Sequence, residues 1–81
     1  MKIKYFAWIK EITEKEDEEI NSNEADNLDK LKKLLITKYP RLTKHFNNEI
    51  LRFAVNQEYV VKNIKLYQKD EIAVFPPVSG G

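Results

Sequence analysis

The chain has 81 residues, of which 42% are hydrophobic and 11% aromatic, with a formal net charge of +1 and no cysteine. This length predicts a single domain, residues 1–81, with a small core, and the apolar content is too high for a disordered chain. The near-neutral charge gives no reason to expect nucleic acid as a partner. A chain without cysteine has neither disulfides nor thiolate metal ligands.

The first apolar segment predicts a strand from Ile3 to Ile9. Its apolar side chains fall on both faces, which is typical of a strand inside a sheet. Two interpretations remain open for Phe6 and Trp8: burial in the core, or a docking patch on one face of the strand. The run is too short for the apolar core of a signal peptide, and no segment reaches the length of a transmembrane helix. We therefore expect a soluble, cytoplasmic protein.

An acidic segment follows this strand. Residues 11–16 predict a helical turn, and residues 17–21, with Ile20 as the one strong apolar side chain, are typical of an exposed edge strand. The carboxylates between positions 14 and 26 would suit a divalent cation or a basic partner. A solvated strand edge and loop is favoured instead, because runs of charge usually face water.

One amphipathic helix is predicted from Leu28 to about Tyr39. Asn27 is placed as its N-cap, and Pro40 ends it. Four leucines recur at the spacing of a helix face: Leu28, Leu31, Leu34 and Leu35. The lysines of this segment point elsewhere, and Lys38 is placed favourably at the carbonyl end of the helix dipole.

The second half of the chain predicts mostly strands. A short helical turn near residues 42–46 precedes a strand at 50–56, a tight turn at 56–58, a strand at 59–61, a turn at 68–70 and a last strand, Glu71 to Phe75. The order is strand, strand, helix, strand, strand, strand. This order predicts an α+β fold, a mixed sheet of about five strands covered on one face by one main helix. The first and last strands are the most apolar, so we expect them at the centre and, if adjacent, parallel.

Residues for enzyme chemistry are scarce. The only glycines are Gly80 and Gly81, so there is no phosphate-binding glycine loop, and Ser79 has no base nearby in sequence. His45 is the sole histidine, and on the flank of a helical turn it is interpreted as a packed or surface residue. We expect no catalysis by this chain alone.

The last six residues, 76–81, are predicted to form an extended tail. Pro76 and Pro77 cannot donate to a sheet ladder and hold the backbone extended. The following residues are small, and a glycine tip without a Cβ could enter a narrow tunnel on another protein. The plainer interpretation is a frayed terminus, which most domains have.

The ending Phe75 to Gly81, with Asp70 to Val74 and Ala54 to Gln57 before it, closely resembles the small subunit of molybdopterin synthase, a MoaD-type sulfur carrier of the ubiquitin-like ThiS/MoaD superfamily. The resemblance extends over the whole chain and implies a β-grasp fold. It implies that an E1-like activating enzyme uses ATP to adenylate the Gly81 carboxylate, and that a sulfur donor protein converts it to a thiocarboxylate. The large synthase subunit would then receive the tail and pass the sulfur to cyclic pyranopterin monophosphate. It also suggests a heterotetramer of two small and two large subunits, with no cofactor bound by this chain.

The resemblance assigns roles to individual residues. Gly81 would carry the sulfur, Gly80 would give it access, and the inserted tail would comprise Pro76, Pro77, Val78 and Ser79. Four further residues match family positions that face the large subunit: Phe6, Lys10, Tyr59 and Phe75. Two departures stand out, because the family often has glycine where this chain has Lys69 and arginine where it has Lys10. Two other functions remain open: a sulfur carrier for thiamin thiazole synthesis or tRNA thiolation, and a non-covalent ubiquitin-like binding module.

Overall fold

A computed structural model of the chain describes residues 1–48 and 50–77. The fold centres on a mixed five-stranded sheet in the order β2-β1-β5-β3-β4. The strands are β1 (Lys2–Tyr5), β2 (Asp17–Glu19), β3 (Arg52–Val55), β4 (Glu58–Val60) and β5 (Glu71–Phe75). β1 and β5 are parallel neighbours inside the sheet, and every other pairing is antiparallel. The predicted α+β class, the central position of the first and last strands and their parallel pairing are confirmed.

Helix α2 (Leu28–Lys38) covers one face of this sheet. The Asn27 side-chain oxygen accepts a hydrogen bond from the Lys30 amide at 2.8 Å, so the predicted N-cap is confirmed. Leu28, Leu31 and Leu35 are fully buried, and burying each leucine contributes about 1.5–3 kcal/mol. The remaining helical elements are α1 (Ile9–Thr13), a 3₁₀ turn (Pro40–Leu42) and α3 (Thr43–Asn47).

The core lies between α2 and the inward-facing side chains of the three central strands. These strands bury every second residue, as the two-residue period of a strand requires. The buried strand residues are Ile3, Tyr5, Phe53, Val55, Ile72 and Val74. Ala73, Ala54 and Phe75 point to the opposite face, which α2 does not cover, and each of them is half-buried. The sheet therefore leaves one face open beside the base of the tail.

The prediction of one strand from Ile3 to Ile9 is wrong beyond Tyr5. Phe6 donates its amide to the Val74 carbonyl at 3.1 Å, but the next bond of a parallel ladder would need an amide proton on Pro76, which proline lacks. The Phe6 carbonyl instead accepts the Ile9 amide at 3.2 Å and closes a turn. Ile9 still reaches the core, but from the first position of α1. The helical turn predicted for residues 11–16 accordingly begins two residues earlier.

Two turns of the second half fit their sequences in different ways. Asn56 and Gln57 both have positive φ, 51° and 71°, as a two-residue type I′ hairpin turn requires. The turn before β5 is closed by a 3.0 Å bond from the Asp70 amide to the Tyr67 carbonyl. Lys69 is not among the described residues with positive φ, so this turn does not need the glycine that the family often has there.

The carboxylate of Glu18 lies in a polar cluster that ties β2 to β1 and to the end of α2. Tyr5 donates its hydroxyl to Glu18 Oε2 at 2.5 Å, and the Tyr39 hydroxyl donates to the same oxygen. Lys38 Nζ donates to Oε1 at 2.6 Å, and Lys15 Nζ lies 3.6 Å from it. The predicted edge strand is confirmed, but the view of its carboxylates as uniformly solvated is wrong for Glu18, whose side chain is only 8% exposed.

These contacts shift the titration of the cluster. Burial alone would raise the pKa of Glu18, but hydrogen bonds from Lys38, Tyr39 and Tyr5 outweigh it and bring the pKa to about 2. Burial, followed by the bond to Glu18, raises the pKa of Tyr5, and the same two causes raise that of Tyr39. Across the physiological pH range Glu18 is therefore a charged carboxylate that accepts hydrogen bonds from two neutral tyrosines and forms ion pairs with Lys38 and Lys15.

Candidate functional site

An apolar groove lies where the tail leaves the sheet. The central strand β5 ends at Phe75, and Pro76 and Pro77 continue from it beside the turn that follows β1. The groove has a volume of about 710 Å³, and all of the side chains that line it are apolar. The lining residues are Phe6, Ala7, Trp8, Ala73, Phe75, Pro76 and Pro77.

The turn after β1 exposes the aromatic rim of this groove. Ala7 has a φ of 55°, a left-handed conformation that turns the chain between β1 and α1. Phe6 is consequently 46% exposed, whereas Trp8 is half-buried against the core. Of the two interpretations of these aromatics, the docking-patch geometry fits Phe6, and Trp8 contributes to both the core and the groove.

The predicted contact residues of the body form one continuous surface. Phe6 and Phe75 line the same groove, and the ring of Tyr59 on β4 lies 6.1 Å from that of Phe75. Lys10 is exposed and shares a smaller neighbouring groove with Phe6. Four positions from three separate segments of the sequence are thus brought to one side of the molecule.

Sequence reasoning missed the floor of this surface. Ala54 and Ala73 are direct partners in the β3–β5 pairing and face away from α2. Ala54 is also the partner of Tyr59 in the β3–β4 pairing, so two small side chains adjoin the aromatic residue on this face of the sheet. The signal was available in the alternation of β5, where Ala73 and Phe75 occupy the face opposite Ile72 and Val74.

The charges around the groove are arranged at its margin. Lys4 and Glu71 form a 2.7 Å ion pair on the open face of the sheet. A hydrogen bond to Glu71 raises the pKa of Lys4, and the same bond lowers the pKa of Glu71. Lys10 makes no ion pair within the described part of the chain, so its ammonium group is available to a partner.

The groove has no group that could perform chemistry by itself. None of its lining residues titrates, and within residues 1–48 and 50–77 no cluster of three His, Cys, Asp or Glu side chains could hold a metal ion. His45 is half-buried with its ring 4.6 Å from Trp8, as expected for a packing residue, and its Nδ1 has no hydrogen-bond partner. The same ranges contain no helix with the length and apolarity needed to cross a bilayer.

The predicted tip of the tail, Val78, Ser79, Gly80 and Gly81, lies outside the described residues. What the structure describes is the base from which these four residues continue. Pro76 is half-buried and Pro77 is exposed. Because the two prolines restrict φ to about −65°, the direction of the chain at this point is set by few torsions.

Comparison with known proteins places this geometry in a family. The ThiS family model matches residues 3–81. The molybdopterin synthase sulfur carrier subunit of Dictyostelium discoideum is 38% identical, with 99% of this chain and 94% of the relative covered. The subunit of the same name from Homo sapiens is 39% identical, with coverages of 100% and 93%.

Solved structures agree with the fold. A putative molybdopterin converting factor, subunit 1, from Pyrococcus furiosus superposes with a TM-score of 0.83 at 26% identity and covers 95% of each chain. SAMP1 from Haloferax volcanii has a TM-score of 0.79 over 99% of this chain and 97% of its own, and at 23% identity it supports the fold alone. A family match over nearly the whole length, two relatives near 40% identity and a shared β-grasp fold lead to one conclusion. The chain belongs to the ThiS family.

Proposed function

We propose that this chain is the sulfur carrier subunit of a molybdopterin synthase and works in the cytoplasm. The observation that carries the proposal is the continuous apolar surface of Phe6, Phe75 and Tyr59 at the base of a proline-stiffened tail. An apolar surface of this kind suits a protein partner that receives the tail at the same time. The names of two relatives, which align over more than nine tenths of their own length, support the same function.

The chemistry belongs to the carboxylate of Gly81. A carboxylate is a poor electrophile, so an activating enzyme first joins it to the AMP part of ATP and releases pyrophosphate. Sulfur at the oxidation level of sulfide then attacks the acyl carbon, AMP leaves, and a thiocarboxylate remains. This group is more acidic than an ordinary thiol, so it is an ionised nucleophile at neutral pH.

The body of the chain positions this group and does not catalyse. The tail predicted for residues 76–81 is the proposed carrier of this group, and a fully extended chain of six residues spans about 20 Å. The large synthase subunit covers the apolar surface, with Lys10 at its margin, and receives the tail in its active site. There the sulfur passes to cyclic pyranopterin monophosphate. ATP is used by the activating enzyme, and this chain binds no cofactor.

Reconstitution with defined acceptors tests this function. The carrier, charged by the activating enzyme with ATP and sulfide, is mixed with the large subunit and cyclic pyranopterin monophosphate, and molybdopterin is measured as its fluorescent oxidation product. We expect product from the native chain and none from a chain whose Gly81 carboxylate is an amide, although both bind the large subunit. Product from the amide would favour the non-covalent binding module. Activity only with a thiazole synthase or a tRNA thiolation enzyme would favour the other carrier functions.

A further inference from the structure

The two edges of the sheet are protected differently. The β2 edge consists of three consecutive acids, Asp17 to Glu19, and charge on an edge strand discourages pairing with another chain. The β4 edge instead presents Tyr59, which is 60% exposed, followed by Val61, which is 80% exposed. β4 is therefore the edge that is open to a further strand.

The hairpin register determines which backbone groups point outward from β4. In a hairpin with a two-residue turn, the first pair beyond the turn exchanges both of its hydrogen bonds, and the bonded pairs then alternate. Glu58 is in that first pair, and Val60 is in the next bonded pair, so both direct their amide and carbonyl groups toward β3. The amide and carbonyl groups of Tyr59 and Val61 consequently point away from the sheet.

The residues of this edge are complementary to themselves. Residues 58–62 read Glu-Tyr-Val-Val-Lys. In an antiparallel pairing with a second copy, centred on Val60, each Glu58 lies opposite Lys62 of the other copy. Tyr59 and Val61 then form the hydrogen-bonded pairs, an aromatic opposite a β-branched residue, which is a favourable cross-strand combination. Glu58 and Lys62 are exposed and make no ion pair with any other described residue, so both are free for this contact.

We propose that β4 pairs with β4 of a second copy of this chain, forming a twofold dimer with a continuous ten-stranded sheet, twice the five strands of one copy. Four backbone hydrogen bonds between Tyr59 and Val61, two apolar pairs and two Glu58–Lys62 ion pairs define the contact. The pairing is short, so the dimer is weak and forms at high protein concentration. Tyr59 also belongs to the surface proposed for the large subunit, so the two associations exclude each other; this mutual exclusion rests on the proposed function.

Two charge reversals test the register of the pairing. Sedimentation equilibrium of the chain alone, from about 10 µM to about 1 mM, measures the dissociation constant of a weak dimer. Glu58→Lys places two lysines opposite each other, and Lys62→Glu places two glutamates opposite each other. We expect each variant alone to raise the dissociation constant about tenfold. An equimolar mixture of the two variants restores opposite charges at both positions, so the mixture should dimerise like the native chain.

Two further variants complete the test. Val61→Pro removes an outward amide proton that β3 does not use, so the fold should survive and the dimer should be lost. Lys69→Glu is the matched control, since it makes the same charge change at an exposed turn away from β4 and should dimerise as the native chain does. Far-ultraviolet circular dichroism checks the fold of every variant.

The outcomes that overturn the pairing are distinct. If the chain is a monomer at every concentration, the dimer is refuted. If it instead pairs its β4 edge only with a strand of another protein, the edge is assigned to that protein. The proposed contact would be refuted if neither single charge reversal changed the dissociation constant, or if the mixture of the two variants failed to restore association. Adding the large subunit should replace the dimer by the mixed complex, and persistence of the dimer inside that complex would contradict mutual exclusion. These measurements do not involve Gly81, so a failure of the dimer proposal can be distinguished from a failure of the proposed sulfur transfer.

Discussion

Replacing Glu18 by glutamine should lower the free energy of unfolding at neutral pH and make that free energy less dependent on pH in the acid range. The carboxylate holds three hydrogen-bond donors, from Tyr5, Tyr39 and Lys38, on a side chain that is 8% exposed. Its pKa falls from an ordinary value of 4.5 to about 2 on folding. At about 1.4 kcal/mol per pKa unit, this difference corresponds to about 3.5 kcal/mol, and partial screening by solvent reduces the expected contribution to about 2 kcal/mol.

The direction of the pH dependence follows from the lowered pKa. Between about pH 5 and pH 2 the unfolded chain binds a proton at Glu18 that the folded chain does not, so stability falls as pH decreases through this window. Above that window the contribution is fully present. The Glu18→Gln variant has no carboxylate to titrate, so it should lose about 2 kcal/mol at pH 7 and converge with the native chain near pH 2.

Urea unfolding at a series of pH values measures both effects. Glu16→Gln is the matched control, because Glu16 belongs to the same acidic segment but is exposed, and its substitution should change stability by less than about 0.5 kcal/mol. Tyr39→Phe removes one of the three donors and should cost about 1 kcal/mol. A Glu18→Gln variant with native stability at pH 7, or with an acid limb parallel to that of the native chain, would refute the role given to this cluster.

Three further substitutions test the helix cap, the hairpin turn and the apolar surface. Asn27→Ala removes the cap of α2 and should lower the free energy of unfolding by about 1 kcal/mol in urea titrations, while Asn23→Ala in the exposed loop should not. Gln57→Gly relieves a φ of 71° and should raise thermal stability by about 0.5 kcal/mol; a loss would contradict the type I′ turn. Phe6→Ala should weaken binding to the large subunit at least about tenfold in calorimetry with little change in stability, because the ring is 46% exposed. Tyr67→Ala, a similarly exposed aromatic residue outside the groove, is its control, and equal binding by both variants would assign the interface elsewhere.

The features that sequence predicted best are those determined by local signals. The α2 helix combines a capping asparagine, leucines at helical spacing and a proline after its last turn, and it lies where these signals placed it. The central position of β1 and β5 followed from their apolar character, which reflects burial on the helix-covered face. For these elements, local propensity and tertiary packing favour the same structure.

The features that sequence missed depend on contacts between distant residues. The end of β1 is caused by Pro76, a residue 70 positions after Phe6 that cannot supply the next ladder bond. An alternating apolar run does not reveal where its neighbour in the sheet lacks an amide proton. Likewise, Glu18 looked like one of several solvated acids, and only the fold brings Tyr5 and Tyr39 to it. An extended tail was predicted from Pro76 and Pro77, but the chemical roles of residues 78–81 came from the family resemblance.

The proposed function requires that the terminal carboxylate of Gly81 accepts sulfur. The most direct test is the intact mass of the chain after incubation with its activating enzyme, ATP and sulfide, followed by fragmentation to locate the change. We predict a mass increase equal to the replacement of one oxygen by one sulfur, confined to the C-terminal glycine and absent without ATP. An unchanged mass with an activating enzyme that charges a known carrier, or sulfur located anywhere else in the chain, would contradict it.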